Sequence, residues 1–171
     1  MRLLLTGIPG IGKTTLIRAV LKQLSEVRCA GFYTEEKRHG GQRIGFKIGT
    51  LDGQEGTLAS VGRTEPTVGR YSVHLEEFEK LALPQLDPET SPADLYVIDE
   101  IGKMELLSPR FRNKVVDLLA QPSNLLATIA KKGKGFIEQL KARNDIELIE
   151  VTRENRDRLV GEIAGRILEG S

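Results

Sequence analysis

The stretch Gly7-Ile8-Pro9-Gly10-Ile11-Gly12-Lys13-Thr14, which Thr15 follows, decides how this chain is expected to fold. It fits the pattern of a glycine, four further residues and then Gly-Lys-Ser/Thr. Residues 3–5, just before it, are an apolar run typical of a buried strand, and residues 16–24 carry leucine, isoleucine and valine at helical spacing. A strand, a glycine-rich turn and a helix in this order predict a loop that cradles phosphate groups.

The residue types of this loop suit a nucleoside triphosphate. Glycine allows the backbone to curl so that successive N–H groups point at phosphate oxygens, and the helix adds the positive end of its dipole. We therefore expect every residue from Gly7 to Thr15 to bind the nucleotide. Lys13 is expected to act catalytically at the β- and γ-phosphates, and the Thr14 hydroxyl to hold Mg²⁺.

A second informative stretch is Leu95-Tyr96-Val97-Ile98-Asp99-Glu100, in which four apolar residues end in a pair of acids. This pattern indicates a buried parallel strand that delivers carboxylates to the sheet edge where ligands bind. Asp99 is expected to hold Mg²⁺ and Glu100 to orient or deprotonate an attacking water. An acidic helix cap after a strand is the alternative interpretation.

Phosphoryl transfer depends on neutralising the charge at the γ-phosphate, so a further cation is expected beside Lys13 and Mg²⁺. Lys103, just past the acid pair, and Arg70, in a long loop, are predicted to be catalytic in this way. Arg63 and Lys132 remain alternatives, and for each of these cations a solvated surface position is the other interpretation.

The rest of the chain predicts an α/β fold. Residues 29–61 read as three strands with turns at Gly40-Gly41 and Asp52-Gly53, where a doubly wound protein would ordinarily place a helix. Residues 62–74 read as an irregular loop. Further strands are predicted at 125–130 and 146–151, the latter at a sheet edge, and helices at 75–83 (ended by Pro84), from Pro109, at 136–141 and at about 154–168.

We therefore predict a single P-loop NTPase domain over residues 1–171: a mostly parallel sheet flanked by helices, with a small antiparallel β extension over about residues 29–61. A chain of 171 residues is long enough for one well-buried core and too short for two comfortable domains.

Charge and composition exclude several classes of function. The net charge is +1, from 25 basic and 24 acidic side chains, so no global field attracts nucleic acid or a membrane surface. No apolar run approaches the length of a membrane span, and because the first strand is predicted to start almost at residue 1 we expect no signal peptide. Cys29 is the single cysteine, which fits a reducing compartment. We expect a cytoplasmic monomer.

Several motifs together resemble a known family. They are Gly31-Phe32-Tyr33-Thr34, Leu51-Asp52-Gly53, Val68-Gly69-Arg70-Tyr71, Val97-Ile98-Asp99-Glu100-Ile101-Gly102-Lys103-Met104-Glu105-Leu106 and Val151-Thr152-Arg153-Glu154-Asn155-Arg156-Asp157. The set is similar to the small nucleoside-triphosphatase family of hyperthermophiles, which includes the human cancer-related nucleoside triphosphatase. The resemblance implies Mg²⁺-dependent hydrolysis of ATP, GTP and other nucleoside triphosphates to diphosphate and phosphate, with little base selectivity.

Two other functions remain open at this point. A nucleotide or small-molecule kinase would use the same loop but would need an acceptor pocket and a lid that excludes water. A non-enzymatic nucleotide switch would bind the diphosphate tightly and turn over slowly. No Asn/Thr-Lys-x-Asp string typical of guanine recognition is present, so residues 152–156 are expected to make at most loose contacts to the base.

Overall fold

The computed structural model describes residues 1–170, and these form two compact units. The first unit consists of Met1–Cys29, Ala93–Ile101 and residues 123–170, and the second of Ala30–Pro92 and Gly102–Pro122. In chain order the elements are β1 (Arg2–Thr6), α1 (Lys13–Lys22), β2 (Cys29–His39), β3 (Gln42–Thr50), β4 (Glu55–Val61), β5 (Thr67–Val68), β6 (Tyr71–Val73), α2 (Leu75–Gln85), β7 (Leu95–Ile101), a 3₁₀ turn (Glu105–Leu107), α3 (Pro109–Ala120), β8 (Asn124–Ile129), α4 (Phe136–Lys141), β9 (Glu147–Glu150) and α5 (Arg156–Glu169).

The first unit contains a parallel sheet with the strand order β7-β8-β1-β9. In its register Leu4 of β1 lies opposite Ala127 of β8 and Leu148 of β9. Residues 3–5 of β1 are at most 1% exposed, as expected for a continuous apolar run inside a parallel sheet. β8 therefore separates the strand that enters the glycine-rich turn from the strand that carries the acid pair.

Two helices of the first unit, α1 and α5, pack against each other. Each buries an apolar stripe at the spacing that the sequence predicted; the buried residues are Leu16, Ile17 and Val20 of α1 and Leu159, Ile163, Ala164 and Ile167 of α5. β9 is the outermost strand of this sheet, and three of its four residues are exposed. The prediction that residues 146–151 form a partly exposed edge strand is confirmed.

The second unit contains an antiparallel sheet with the strand order β5-β6-β4-β3-β2. The predicted turns at Gly40-Gly41 and Asp52-Gly53 join consecutive strands of this sheet. Helix α2 packs on β3 and β4, and α3 packs against α2. α3 begins as predicted, with Pro109 in its first turn and Ser108 as the cap, whose Oγ accepts from the Phe111 N–H at 3.0 Å.

Two predictions about the second unit are wrong. Residues 62–74 are not an irregular loop, because they contain β5 and β6, so the antiparallel sheet continues to Val73 instead of ending near residue 61. Strands of two and three residues are too short to show an alternating pattern in the sequence. Helix α2 also continues through Pro84 to Gln85, because a proline in the last turn removes only a hydrogen bond close to the end of the helix.

The predicted fold class is confirmed: the protein is α/β, with parallel strands, flanking helices and an antiparallel extension. Within residues 1–170, no helix combines the length and the apolar character that crossing a membrane requires.

An aromatic cluster in the core of the second unit gives a direct test of this packing. Phe32, Phe78 and Phe111 are fully buried and make edge-to-face contacts at centroid distances of 5.3 to 5.8 Å. We expect Phe111→Ala to lower the free energy of unfolding in urea by about 3–5 kcal/mol, because it removes these contacts and leaves a cavity. Val116→Ala, at a 47% exposed position of the same helix, should change it by less than about 0.5 kcal/mol. Equal losses in the two variants would contradict the packing described here.

Candidate active site

The glycine-rich turn occupies residues 7–12, between β1 and α1. Gly10 and Gly12 have φ angles of +79° and +103°, a left-handed region that residues with side chains rarely adopt. Gly7 is needed for a different reason, since a Cβ atom there would lie 2.9 Å from the carbonyl oxygen of Val151. The path of the turn therefore depends on glycine at these positions.

Helix α1 starts directly at the end of this turn, with Lys13 as its first residue. Its first turn contains no acidic residue, and its cap position is Gly12, which has no side chain to accept from the helix N–H groups. Because the first N–H groups of a helix have no acceptor inside the helix, the donors of Lys13, Thr14 and Thr15 can serve a bound anion. The turn and the helix end together have the features of a phosphate-binding site.

Lys13 connects the turn to the acid pair. Its Nζ donates to the carbonyl oxygen of Gly7 at 3.1 Å and lies 4.0 Å from a carboxylate oxygen of Glu100. The side chain of Lys13 is only 10% exposed. The Lys13 ammonium can therefore keep its contact with the loop and also bind a ligand phosphate. It lies close to Glu100, the carboxylate predicted to act on water.

Asp99 is a buried carboxylate, 2% exposed, near the end of β7. Its Oδ1 accepts from the Thr128 hydroxyl at 2.5 Å. Burial raises the pKa of Asp99, while the hydrogen bond from Thr128, the nearby Thr14 side chain and the charge of Lys13 act in the opposite direction.

The second carboxylate oxygen of Asp99 fits a metal. Among residues 1–170, Oδ2 of Asp99 is a buried oxygen atom without a hydrogen-bond partner. An unpartnered buried oxygen is costly, and such groups call for an explanation such as an ion. Carboxylate and hydroxyl oxygens suit Mg²⁺, which proteins hold through one or two carboxylates together with substrate phosphates. The donor set of Asp99 and Thr14 therefore matches the predicted cofactor.

Glu100 follows Asp99 through a cis peptide bond, and about a third of its side-chain surface, 34%, is exposed. Burial raises the pKa of Glu100, the charge of Lys13 opposes that shift, and the charge of Asp99 adds to it. A carboxylate that is partly desolvated and open on one side can accept a proton from a water molecule.

Thr128 is a site residue that the sequence analysis missed. It lies on β8, is fully buried, and donates its hydroxyl to Asp99. The available signal was faint: Thr128 is the one polar residue in the run Leu125-Leu126-Ala127-Thr128-Ile129-Ala130. Only the strand order, with β8 beside β7, shows that its hydroxyl faces the acid.

The predicted extra cations have different surroundings. Arg70, in the second unit, is held by its neighbours: it donates to the Tyr71 hydroxyl at 3.2 Å and to the carbonyl oxygen of Arg43 at 2.6 Å. Lys103, also in the second unit, is exposed and has no ion-pair partner within the part of the chain described. Arg63 and Lys132 are exposed as well.

The structure thus brings together Lys13, Thr14, Asp99 and Glu100 in the first unit. A glycine-rich turn between a parallel strand and a helix, facing an acid-ended strand, defines a P-loop nucleotide-binding protein.

Comparisons with known proteins agree with this class. A family model described as NTPase matches residues 2–164. The nucleoside-triphosphatase THEP1 of Thermotoga maritima is 45% identical over 95% of this chain and 93% of its own length. The human cancer-related nucleoside-triphosphatase is 46% identical over 93% of this chain and 92% of its own length.

Two solved structures are also similar. The crystal structure of THEP1 from Aquifex aeolicus has a TM-score of 0.86 at 37% identity, covering 95% of this chain and 96% of that one. The solution structure of a human cancer-related nucleoside triphosphatase has a TM-score of 0.83 at 42% identity, covering 99% and 98%. The chain belongs to the NTPase family, so the resemblance inferred from its motifs is confirmed.

The contact between Thr128 and Asp99 leads to a prediction about Mg²⁺. Thr128→Val keeps the shape of the side chain but removes the hydroxyl that orients Asp99. We expect the Mg²⁺ concentration for half-maximal activity to rise by about 10- to 100-fold, the usual effect of losing a group that orients a metal ligand. Thr128→Ser keeps the hydroxyl and should stay close to wild type. An unchanged Mg²⁺ requirement in Thr128→Val would show that this hydrogen bond does not position Asp99.

Proposed function

We propose that this protein is a nucleoside triphosphatase that uses Mg²⁺ to hydrolyse ATP, GTP and other nucleoside triphosphates to diphosphate and phosphate, with low base selectivity. The observation that carries the proposal is the acid pair beside the phosphate loop: Glu100 lies 4.0 Å from Lys13, next to the buried and incompletely hydrogen-bonded Asp99. The relatives from Thermotoga maritima and human are themselves named nucleoside-triphosphatases, which supports the same reaction.

The loop and the acids have separate tasks in this reaction. The N–H groups of residues 7–15 and the Lys13 ammonium bind the phosphate chain and oppose the negative charge that spreads over the γ-phosphate oxygens. Thr14 and Asp99 would hold Mg²⁺, which when bound supplies further neutralisation at the β- and γ-phosphates. Asp99 can serve this purpose because one of its oxygens is already fixed by Thr128.

Glu100 is proposed to orient the attacking water and to accept its proton. A general base works best when its pKa is close to the working pH, and burial moves the pKa of Glu100 upward, in that direction. The nearby charge of Lys13 opposes this shift and favours the ionised form, which is the form able to take the proton.

We further propose that Lys103 or Arg70 completes the charge at the γ-phosphate. Lys103 is the more available of the two, because the guanidinium of Arg70 already donates to Tyr71 and Arg43. We also propose that residues 1–171 act as one domain in a monomer. The match of a single family model to residues 2–164, which include residues of both units, supports the single domain.

The proposal is tested by measuring phosphate release with ATP, GTP, CTP and UTP, with and without Mg²⁺ and without any added acceptor. We expect Mg²⁺-dependent release from each nucleotide, with kcat/KM values within about tenfold, or ~1.4 kcal/mol, because the loop binds phosphates rather than bases. Release that requires an added acceptor would indicate a kinase. Very slow release with tight diphosphate binding would indicate a switch, and a thousandfold preference for one base would indicate a specific base pocket.

The separate tasks of the two acids can be tested by paired substitutions. In Glu100→Gln the proton acceptor is lost, so we expect kcat to fall by ~10²–10⁴ while binding of the Mg²⁺-nucleotide survives. In Asp99→Asn the metal ligand is altered. We therefore expect Mg²⁺ to support activity less well and the affinity for the nucleotide to fall.

Glu169→Gln, at an exposed position near the end of α5, is the matched control and should leave kcat and the Mg²⁺ requirement unchanged. Normal turnover in Glu100→Gln would mean that another group orients the water, and it would favour the kinase.

A further inference from the structure

The segment that follows β9 is fixed against the start of the phosphate loop. The N–H of Val151 donates to the carbonyl oxygen of Thr6 at 2.7 Å, immediately before the loop begins. The turn that comes next is closed by Asn155, whose side chain accepts from the Thr152 N–H at 2.8 Å and donates to the carbonyl oxygen of Glu150 at 2.9 Å. The side chain that follows this turn is therefore delivered to a defined place.

That side chain is Arg156, the first residue of α5. Its Nη1 donates to the carbonyl oxygen of Ile11 at 3.3 Å and lies 3.8 Å from where a Cβ of Gly12 would be. Its ion pair is with Asp157 at 3.4 Å, and Asp157 is 91% exposed, so solvent screens this pair strongly. The Arg156 side chain remains 45% exposed. A guanidinium is thus attached to the phosphate loop with much of its surface open.

The strand order indicates which part of a nucleotide would meet Arg156. In the first unit, β7 with Asp99 and Glu100 lies on one side of β1, and β9 lies on the other. The γ-phosphate has to be near Lys13 and the acid pair, since the reacting groups are there. The nucleoside, at the opposite end of the phosphate chain, then lies toward β9 and the segment that carries Arg156.

We propose that Arg156 stacks the plane of its guanidinium on the nucleobase, with its hydrogen bond to Ile11 fixing the plane at the edge of the phosphate loop. This inference rests on the proposed function, in that it takes a nucleoside triphosphate as the ligand. Guanidinium planes stack on bases, and the π-face is common to all bases, whereas the hydrogen-bonding edges differ. Recognition by Arg156 therefore contributes affinity for every base and discriminates weakly between them.

A purely structural role for Arg156 makes a different prediction. If its hydrogen bond to Ile11 only supported the phosphate loop, losing it would weaken every ligand that the loop binds, with or without a base. If Arg156 stacks on the base, losing it weakens only ligands that carry a base. Ligands with and without a base therefore separate the two roles.

The experiment is calorimetric titration, in Mg²⁺, of wild type and Arg156→Ala with the non-hydrolysable imido analogues of ATP and GTP and with inorganic tripolyphosphate. We expect Arg156→Ala to weaken both analogues by about tenfold and to leave the affinity for tripolyphosphate within about twofold. The retained binding of tripolyphosphate also verifies that the variant is folded. An equal loss for tripolyphosphate, or no loss for the analogues, would overturn the proposal.

Two further variants sharpen the result. Arg156→Lys keeps the charge but not the plane, so it should bind the analogues nearly as weakly as Arg156→Ala; wild-type affinity in Arg156→Lys would overturn stacking. Arg158→Ala removes another exposed arginine from the first turn of α5, one that pairs with Glu162, and should change no affinity. Because binding and not turnover is measured, a protein that binds these analogues without hydrolysing nucleotides would refute the proposed function and leave this inference standing.

Discussion

The burial of one carboxylate, Asp99, is the constraint on which the candidate site depends. A buried carboxylate loses its hydration, and this loss has to be compensated by hydrogen bonds or by a cation. Thr128 supplies a hydrogen bond, the Thr14 side chain lies nearby, and Lys13 adds a nearby positive charge. Because Oδ2 of Asp99 has no such partner within residues 1–170, the compensation is incomplete in a way that suits a metal ion.

The surrounding elements follow from the need to satisfy this acid. β8 has to lie beside β7 for Thr128 to reach Asp99, and the start of α1 directly at the glycine-rich turn places Thr14 near the same acid. The glycines allow that short path, since a side chain at Gly7 would collide with the carbonyl oxygen of Val151. The phosphate loop and the acid are therefore parts of one arrangement, linked by short polar contacts inside an otherwise apolar sheet.

The second unit relies on packing of a different kind. The aromatic cluster of Phe32, Phe78 and Phe111 is stabilised by buried apolar surface and by edge-to-face packing of the rings. The surface ion pairs of this unit contribute little to its stability by comparison. The antiparallel strands from β2 to β6 extend to Val73. Near the β5 edge of that sheet, the guanidinium of Arg70 lies over the ring of Tyr71 and donates a hydrogen bond to its hydroxyl. These local contacts hold the guanidinium of Arg70 in place although the residue is exposed, and the exposed Lys103 has no ion-pair partner within the part of the chain described.

The sequence by itself determined the phosphate loop, the acid-ended strand, most helices and the family, because each depends on neighbouring residues or on a spacing that repeats along the chain. It gave no sign of the short strands β5 and β6, which are below the length at which alternation is visible. Only the tertiary structure decided that Thr128 faces Asp99 and that Arg156 reaches Ile11. The first contact joins residues that are 29 positions apart in the sequence, and the second joins residues that are 145 positions apart. Periodicity in a sequence reveals which residues are buried, but it does not reveal which strands become neighbours.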